Sequence, residues 1–193
     1  MDILEGAIEI GASAIALTVT LLLEWFPGEY RPMTAGEIAE AKKVYGNSIR
    51  WQDVRLSVKS IPIDIIMKLN NQRPFTTMYL INFASWDSLD TPTLIHELCH
   101  VWQGVQTGPF YMAHALWSQA TIEGQEEYNY GYDNATNGEG GQDELNAANG
   151  NFNAFNPEQQ ANIAEHYYVR KFMEGIEAVA WEPYAALLRS KTA

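Results

Sequence analysis

His96, Glu97 and His100 carry the clearest chemical signal in this chain, in the pentapeptide His96-Glu97-Leu98-Cys99-His100. Histidines four apart on a helix share one face, about one turn from each other. Two neutral imidazoles at that spacing can grip one Zn²⁺ and leave room for a third protein ligand and a water. Glu97 lies about 100° round the helix from His96, too close to be a comfortable ligand and well placed to accept a proton from activated water. The pattern is that of a metallopeptidase helix, with Glu97 as general base. Two histidines on an amphipathic surface helix would be the bland alternative. Against it, Leu94, Ile95, Leu98, Val101 and Trp102 supply apolar surface for a buried helix.

A catalytic zinc usually takes three protein ligands, so a further partner must come from downstream. His114, Glu123, Glu126, Glu127, Asp143, Glu144, Glu158, Glu165 and His166 are the candidates. Glu158 is the choice. It opens a well-capped helix, so its backbone is fixed, and Ala161 on the same face is small enough to admit a close neighbour. The purely structural reading of Glu158 is a first-turn carboxylate favoured by the helix dipole. Glu144 is the runner-up, on a stretch expected to be a loop. Gln103 lies on the histidine face one turn further on and is placed to orient a ligand from behind. Tyr128, Tyr130, His166, Tyr167 and Tyr168 are candidate oxyanion stabilisers. His114 has no evident partner and reads as a packing or surface residue.

The elements that must position these residues follow from local signals. Thr91-Pro92 predicts an N-cap and first residue for the motif helix, over about 92–104, with Gly104 and Gly108-Pro109 to end it. Thr34-Ala-Gly-Glu37 is a capping box, and Gly46 a natural helix end. Val54, Leu56 and Val58 alternate as in a strand, and Phe75–Phe83 is rich in β-branched and aromatic residues and predicts another. Residues 61–69 are apolar and ambiguous, and residues 111–122 predict a helix. Residues 131–153, crowded with Gly and Asn, predict a long flexible loop inserted near the mouth of the site. Asn156-Pro157 restarts helix, Gly175 breaks it, and Pro183 interrupts a terminal helical stretch. The expectation is one α+β domain over 1–193, mainly helical with a small sheet beside the motif helix.

Composition sets the outer limits. The 193 residues are 47% hydrophobic, enough for a real core. The net charge of −12, with its 12 basic residues scattered, argues against a nucleic-acid partner. Cys99 is the sole cysteine, which excludes an intrachain disulfide, and it reads as a small buried packing residue. The apolar run at 12–23 is too short to span a bilayer comfortably, so no stable membrane span is expected. Asp2, Glu5 and Glu9 precede it without Lys or Arg, unlike a secretory signal peptide.

Three blocks carry a family resemblance: Arg31-Pro32-Met33-Thr34-Ala35-Gly36-Glu37-Ile38, His96 to Gln103, and Phe155-Asn156-Pro157-Glu158-Gln159-Gln160-Ala161. Together they resemble the zincin-like metallopeptidase domains fused to, or encoded beside, VgrG spike proteins of bacterial type VI secretion systems. The resemblance covers roughly residues 30–170. The apolar extension over 1–30 lies outside it, and the 131–153 stretch departs from it. It implies Glu158 as the third ligand, Zn²⁺ as cofactor, and a protein or peptide substrate. It also implies delivery by a VgrG spike into a neighbouring cell, action in that cell's periplasm, and a cognate immunity protein. The competing reading is a non-catalytic zinc-containing module that docks a partner. A fourth protein ligand such as Cys99 or Glu144 would mark it, because structural zinc sites are closed. A di-iron bundle would need a second Glu-x-x-His, and the chain has none.

Overall fold

The computed structural model describes residues 28–58, 74–107 and 129–190. The apolar run at 12–23, the segments at 61–69 and 111–122, and residues His114, Glu123, Glu126, Glu127 and Tyr128 lie outside the described residues.

The alternation at Val54, Leu56 and Val58 gives strand β2 (Arg55–Val58), whose apolar side chains are buried. β1 (Glu29–Pro32) pairs with it antiparallel, and β4 (Leu80–Asn82) pairs with it parallel. β3 (Phe75–Thr77) pairs antiparallel with β4, so the sheet runs β1-β2-β4-β3, with β3 at an edge among the described residues. The single strand expected over 75–83 is therefore a hairpin. Its chain reverses at Met78-Tyr79, between the paired Thr77 and Leu80. Met78 takes a φ of 56°, the left-handed region. Tight hairpins normally put glycine or asparagine there, so a Met-Tyr pair sends no turn signal.

Five α-helices accompany the sheet among the described residues: α1 (Ala35–Tyr45), α2 (Thr91–Thr107), α3 (Glu139–Ala148), α4 (Pro157–Tyr168) and α5 (Glu182–Ser190). The capping box of α1 forms as read. The Thr34 hydroxyl accepts from the Glu37 N–H, and the Glu37 carboxylate accepts from the Thr34 N–H. Arg31 forks onto the same carboxylate at 2.8 and 2.7 Å, which ties β1 to the start of α1.

α2 departs from expectation at both ends. Asp90, not Thr91, is its cap: the Asp90 carboxylate accepts from the Thr93 N–H at 2.7 Å. Its short acidic side chain reaches the free N–H groups that open a helix, so Thr91 and Pro92 belong to the first turn. Gly104 does not end the helix. Glycine costs a helix interior about 1 kcal/mol, and burial of Val101, Trp102 and Gln103 beside it carries the helix on to Thr107.

The 131–153 stretch is not a plain loop. It holds a 3₁₀ turn (Asn134–Thr136), then α3, then a second 3₁₀ turn (Phe152–Ala154). Tertiary contact overrides the poor helix propensity of its residues. Leu145 is buried, and its carbonyl accepts from the Tyr184 hydroxyl at 2.6 Å. A side chain at Gly140 would begin 2.4 Å from the Gly131 carbonyl oxygen. The glycine is thus the point of closest approach.

α4 begins as read, with Asn156 as cap and Pro157 in first place, and Gln159 adds a capping box that the sequence reading did not name. It continues as a π-helical turn (Val169–Glu174) that Gly175 ends at a φ of 69°. Pro183 interrupts nothing. It sits in the first turn of α5, where a missing N–H is tolerated. α2 is the central element, touching α1, α4, β3 and β4, and its longest contact is with α4. Leu94, Ile95, Leu98, Cys99 and Val101 from α2 and Ala161 from α4 are completely or almost completely buried. The fold is α+β with a small mixed sheet. No helix among the described residues is long and apolar enough to cross a membrane.

Candidate metal centre

The contact of α2 with α4 brings Glu158 to the two histidines. Its Oε2 lies 3.3 Å from His96 Nε2 and 3.5 Å from His100 Nε2. One ligand atom from each residue falls within 4.8 Å of the others, so the group could hold a metal ion. A tetrahedral ion with bonds of about 2.0–2.1 Å separates its ligands by about 3.4 Å. The two short separations match that edge. The side chains of His96, His100 and Glu158 are 13%, 9% and 6% exposed. Neither Cys99 nor Glu144 joins the group. Cys99 is buried in the core, and Glu144 is exposed on α3.

Each histidine is held from behind. The Glu165 carboxylate lies 3.2 Å from His96 Nδ1. Glu165 is seven residues beyond Glu158, so two turns of α4 put both carboxylates on one face. His100 Nδ1 lies 2.8 Å from Gln103 Oε1, and the surrounding amides fix the direction of that bond. The Gln160 amide N–H₂ donates to the carbonyls of Phe152 and Phe155, so its oxygen faces Gln103. The Gln103 N–H₂ donates to that oxygen and to the Pro157 carbonyl. Gln103 Oε1 must then accept, His100 Nδ1 must donate, and a neutral His100 keeps its Nε2 lone pair for the shared centre. Gln103 thus sits as the sequence placed it. Glu165 entered the sequence reading only as a possible ligand, and its seven-residue spacing from Glu158 is the signal for the supporting role.

The charges divide the labour. Burial disfavours the charged form of His96, but Glu158 and Glu165 outweigh it and raise its pKa to about 10. Burial likewise opposes an ionised Glu158, and His100 and His96 together hold it well below the usual carboxylate range. Glu97 goes the other way. Burial raises it above the usual carboxylate range, although His100 and His96 pull against the shift. A carboxylate made more basic beside the metal group can accept a proton. The Thr76 hydroxyl on β3 donates to Glu97 Oε2 at 2.8 Å and leaves the other oxygen available. Nothing in the sequence pointed to Thr76, which reaches Glu97 only through the packing of β3 on α2.

Most of the oxyanion candidates are committed elsewhere. The Tyr130 hydroxyl lies between Trp181 and His166. Tyr167 donates to Glu182, and Tyr168 donates to Glu40. His166 stands outside the metal group. No protein-family model, curated protein or solved structure matches this chain.

Proposed function

We propose that this chain is a zinc-dependent metallopeptidase. The observation that carries the reading is one Glu158 oxygen set close to both His96 Nε2 and His100 Nε2, with the Glu97 carboxylate alongside. Two imidazoles and a carboxylate are a donor set that suits zinc, and three protein ligands leave a position open for chemistry. Zinc supplies a Lewis acid that acidifies water and polarises a carbonyl. Glu97 accepts the water proton and returns it to the leaving amine, while Thr76 holds its other oxygen still. Glu165 and Gln103 keep the two imidazoles in register. β3 lies at the sheet edge next to Glu97, and an extended peptide would add to it as a further strand. The resemblance to VgrG-associated zincin-like domains supports a secreted antibacterial effector. Delivery would be through a type VI spike, action in the target-cell periplasm, and restraint by a cognate immunity protein.

Elemental analysis tests the centre. One zinc per chain is expected in the wild type and in Glu144→Ala, with loss in His96→Ala and Glu158→Ala. A folded wild type that takes up no zinc would overturn the reading. Zinc-loaded protein that cleaves no member of a peptide library would overturn the peptidase activity while leaving the metal site in place.

A further inference from the structure

α4 carries a second polar site on the flank of its metal-binding face. Asn162 and His166 follow Glu158 by four and eight residues, about 6 and 12 Å along the helix axis. With Asn129, Tyr132 and Asn134 they line a cavity of about 160 Å³ that has no charged side chain in its lining among the described residues.

The hydrogen-bond chain behind His166 fixes what it offers to that cavity. The Trp181 indole N–H can only donate, and it donates to the Tyr130 oxygen at 2.9 Å. Tyr130 is buried, so its own proton needs an acceptor, and His166 Nδ1 lies 2.7 Å away. His166 must then carry its proton on Nε2. That nitrogen makes no hydrogen bond among the described residues. Burial lowers the His166 pKa to about 4 against the pull of the neighbouring Glu165, with His96 and Arg170 adding to burial, so the ring is a neutral donor at ordinary pH. Tyr132 stacks on the imidazole at 3.7 Å and holds its plane. Asn129 spends its side-chain oxygen on the Gly131 N–H, which leaves its amide N–H groups to offer.

The base of the chain is positive. Arg170, on the π-helical turn, is 2% exposed and lies 4.6 Å above the Trp181 ring. Its guanidinium donates to the carbonyls of Asn137 and Glu177, and no carboxylate pairs with it among the described residues. A buried cation without a counter-ion is costly, and its field favours negative charge nearby. Every donor from Trp181 through Tyr130 to His166 points toward the cavity, and aligned hydrogen bonds reinforce one another.

We propose that the cavity beside His166 is a carboxylate-binding subsite, in which His166 Nε2–H and the Asn129 amide hold a carboxylate of a peptide. The group would be a C-terminus or an Asp or Glu side chain. That it belongs to a peptide rests on the peptidase reading, whereas the anion chemistry does not. An extended peptide advances about 3.3 Å per residue, so two to four residues bridge this cavity and the metal centre.

The test is ¹⁵N NMR of the histidine rings in the full, metal-free chain, titrated with N-acetyl-alanine, N-acetyl-alanine amide and N-acetyl-aspartyl amide. The His166 Nε2 signal should move with a carboxylate probe and stay still with the neutral alanine amide. Preference for N-acetyl-alanine identifies a C-terminus, and preference for N-acetyl-aspartyl amide identifies a side chain. His166→Phe should weaken binding roughly tenfold or more. Tyr130→Phe should weaken it less and let the imidazole tautomers mix. An equal response to the neutral amide, or none to either carboxylate, would overturn the proposal in the wild type alone. Because no metal is present, binding here and failure to hydrolyse peptides are separate results.

Discussion

His96 and His166 sit in two shielded environments against one helix, and they titrate in opposite directions. His96 faces Glu158 and Glu165 from α4 and is raised to about 10. His166 lies among Tyr130, Tyr132 and Trp181 with Arg170 behind, and falls to about 4. Burial pushes both downward, so burial does not explain the difference. The partners do: Glu158 and Glu165 together outweigh burial at His96, whereas at His166 Glu165 alone does not, and His96 and Arg170 add to burial there. One face of α4 is therefore built to gather positive charge, and its flank to present a fixed neutral donor.

The largest effect is expected on the proposed metal-binding side of this pair. Glu97→Gln leaves the three proposed metal ligands in place and should lower peptide hydrolysis by about 10²–10⁴-fold, with zinc content unchanged. Unaltered turnover would remove Glu97 from the mechanism. Next, Glu165→Gln removes the carboxylate behind His96 and should weaken zinc affinity by about 10–100-fold. A competition titration against a chromophoric chelator reads it, and an unchanged affinity would show the contact to be idle.

Zinc must also displace the proton that His96 holds in the metal-free protein. His96 is protonated below about 10, so zinc affinity should rise as pH rises from about 6.5 toward 10. Calorimetry in buffers of different ionisation enthalpy should register proton release. Glu158→Gln keeps the site shielded but removes a charge, so the His96 pKa should drop toward its ordinary value by NMR. If it stays near 10, partner chemistry is not what separates the two histidines.

The smallest effect lies at His166. A His166 pKa lowered from 6.5 to about 4 means that the unfolded chain takes up a proton first as pH falls. The stability it contributes is present above about 6.5 and is lost on acidification through about 4, by roughly 3 kcal/mol. The contribution of His96 in the metal-free chain is full below 6.5 and is lost only as pH rises toward 10, and that of Glu158 is full above its unfolded value of 4.5 and is lost only below it, so neither changes between 6.5 and 4.5. Urea unfolding between pH 6.5 and 4.5 should therefore show a slope that His166→Phe flattens. An equal slope in the variant would place the acid sensitivity elsewhere.

Local signals were legible wherever the physics is local. The Thr34 capping box, the Asn156 cap, the alternation of β2 and the apolar residues of α2 all stand where the sequence placed them. They failed where tertiary contact outvoted propensity. Gly140 and Gly141 look like helix breakers, yet they let α3 rest against Gly131, Tyr130 and Tyr132. Met78 turns a hairpin in a left-handed conformation that no composition rule assigns to methionine. Asp90 outcompetes Thr91 as a cap because its carboxylate reaches the Thr93 N–H.

The sequence by itself determined the two histidines on one helical face, with Glu97 on its flank, because a four-residue spacing on a helix leaves little freedom. It also singled out Glu158 as the acid on a fixed backbone and Gln103 as a support on the histidine face. Only the tertiary structure decided the rest. The packing of α2 on α4 brings Glu158 to both imidazoles and sets Glu165 behind one of them. The packing of β3 on α2 gives Glu97 its Thr76 partner. The chain from Trp181 through Tyr130 gives His166 its tautomer. Those contacts join residues about twenty to seventy positions apart, and their partners are set by how whole elements bury their apolar faces, which no local pattern records.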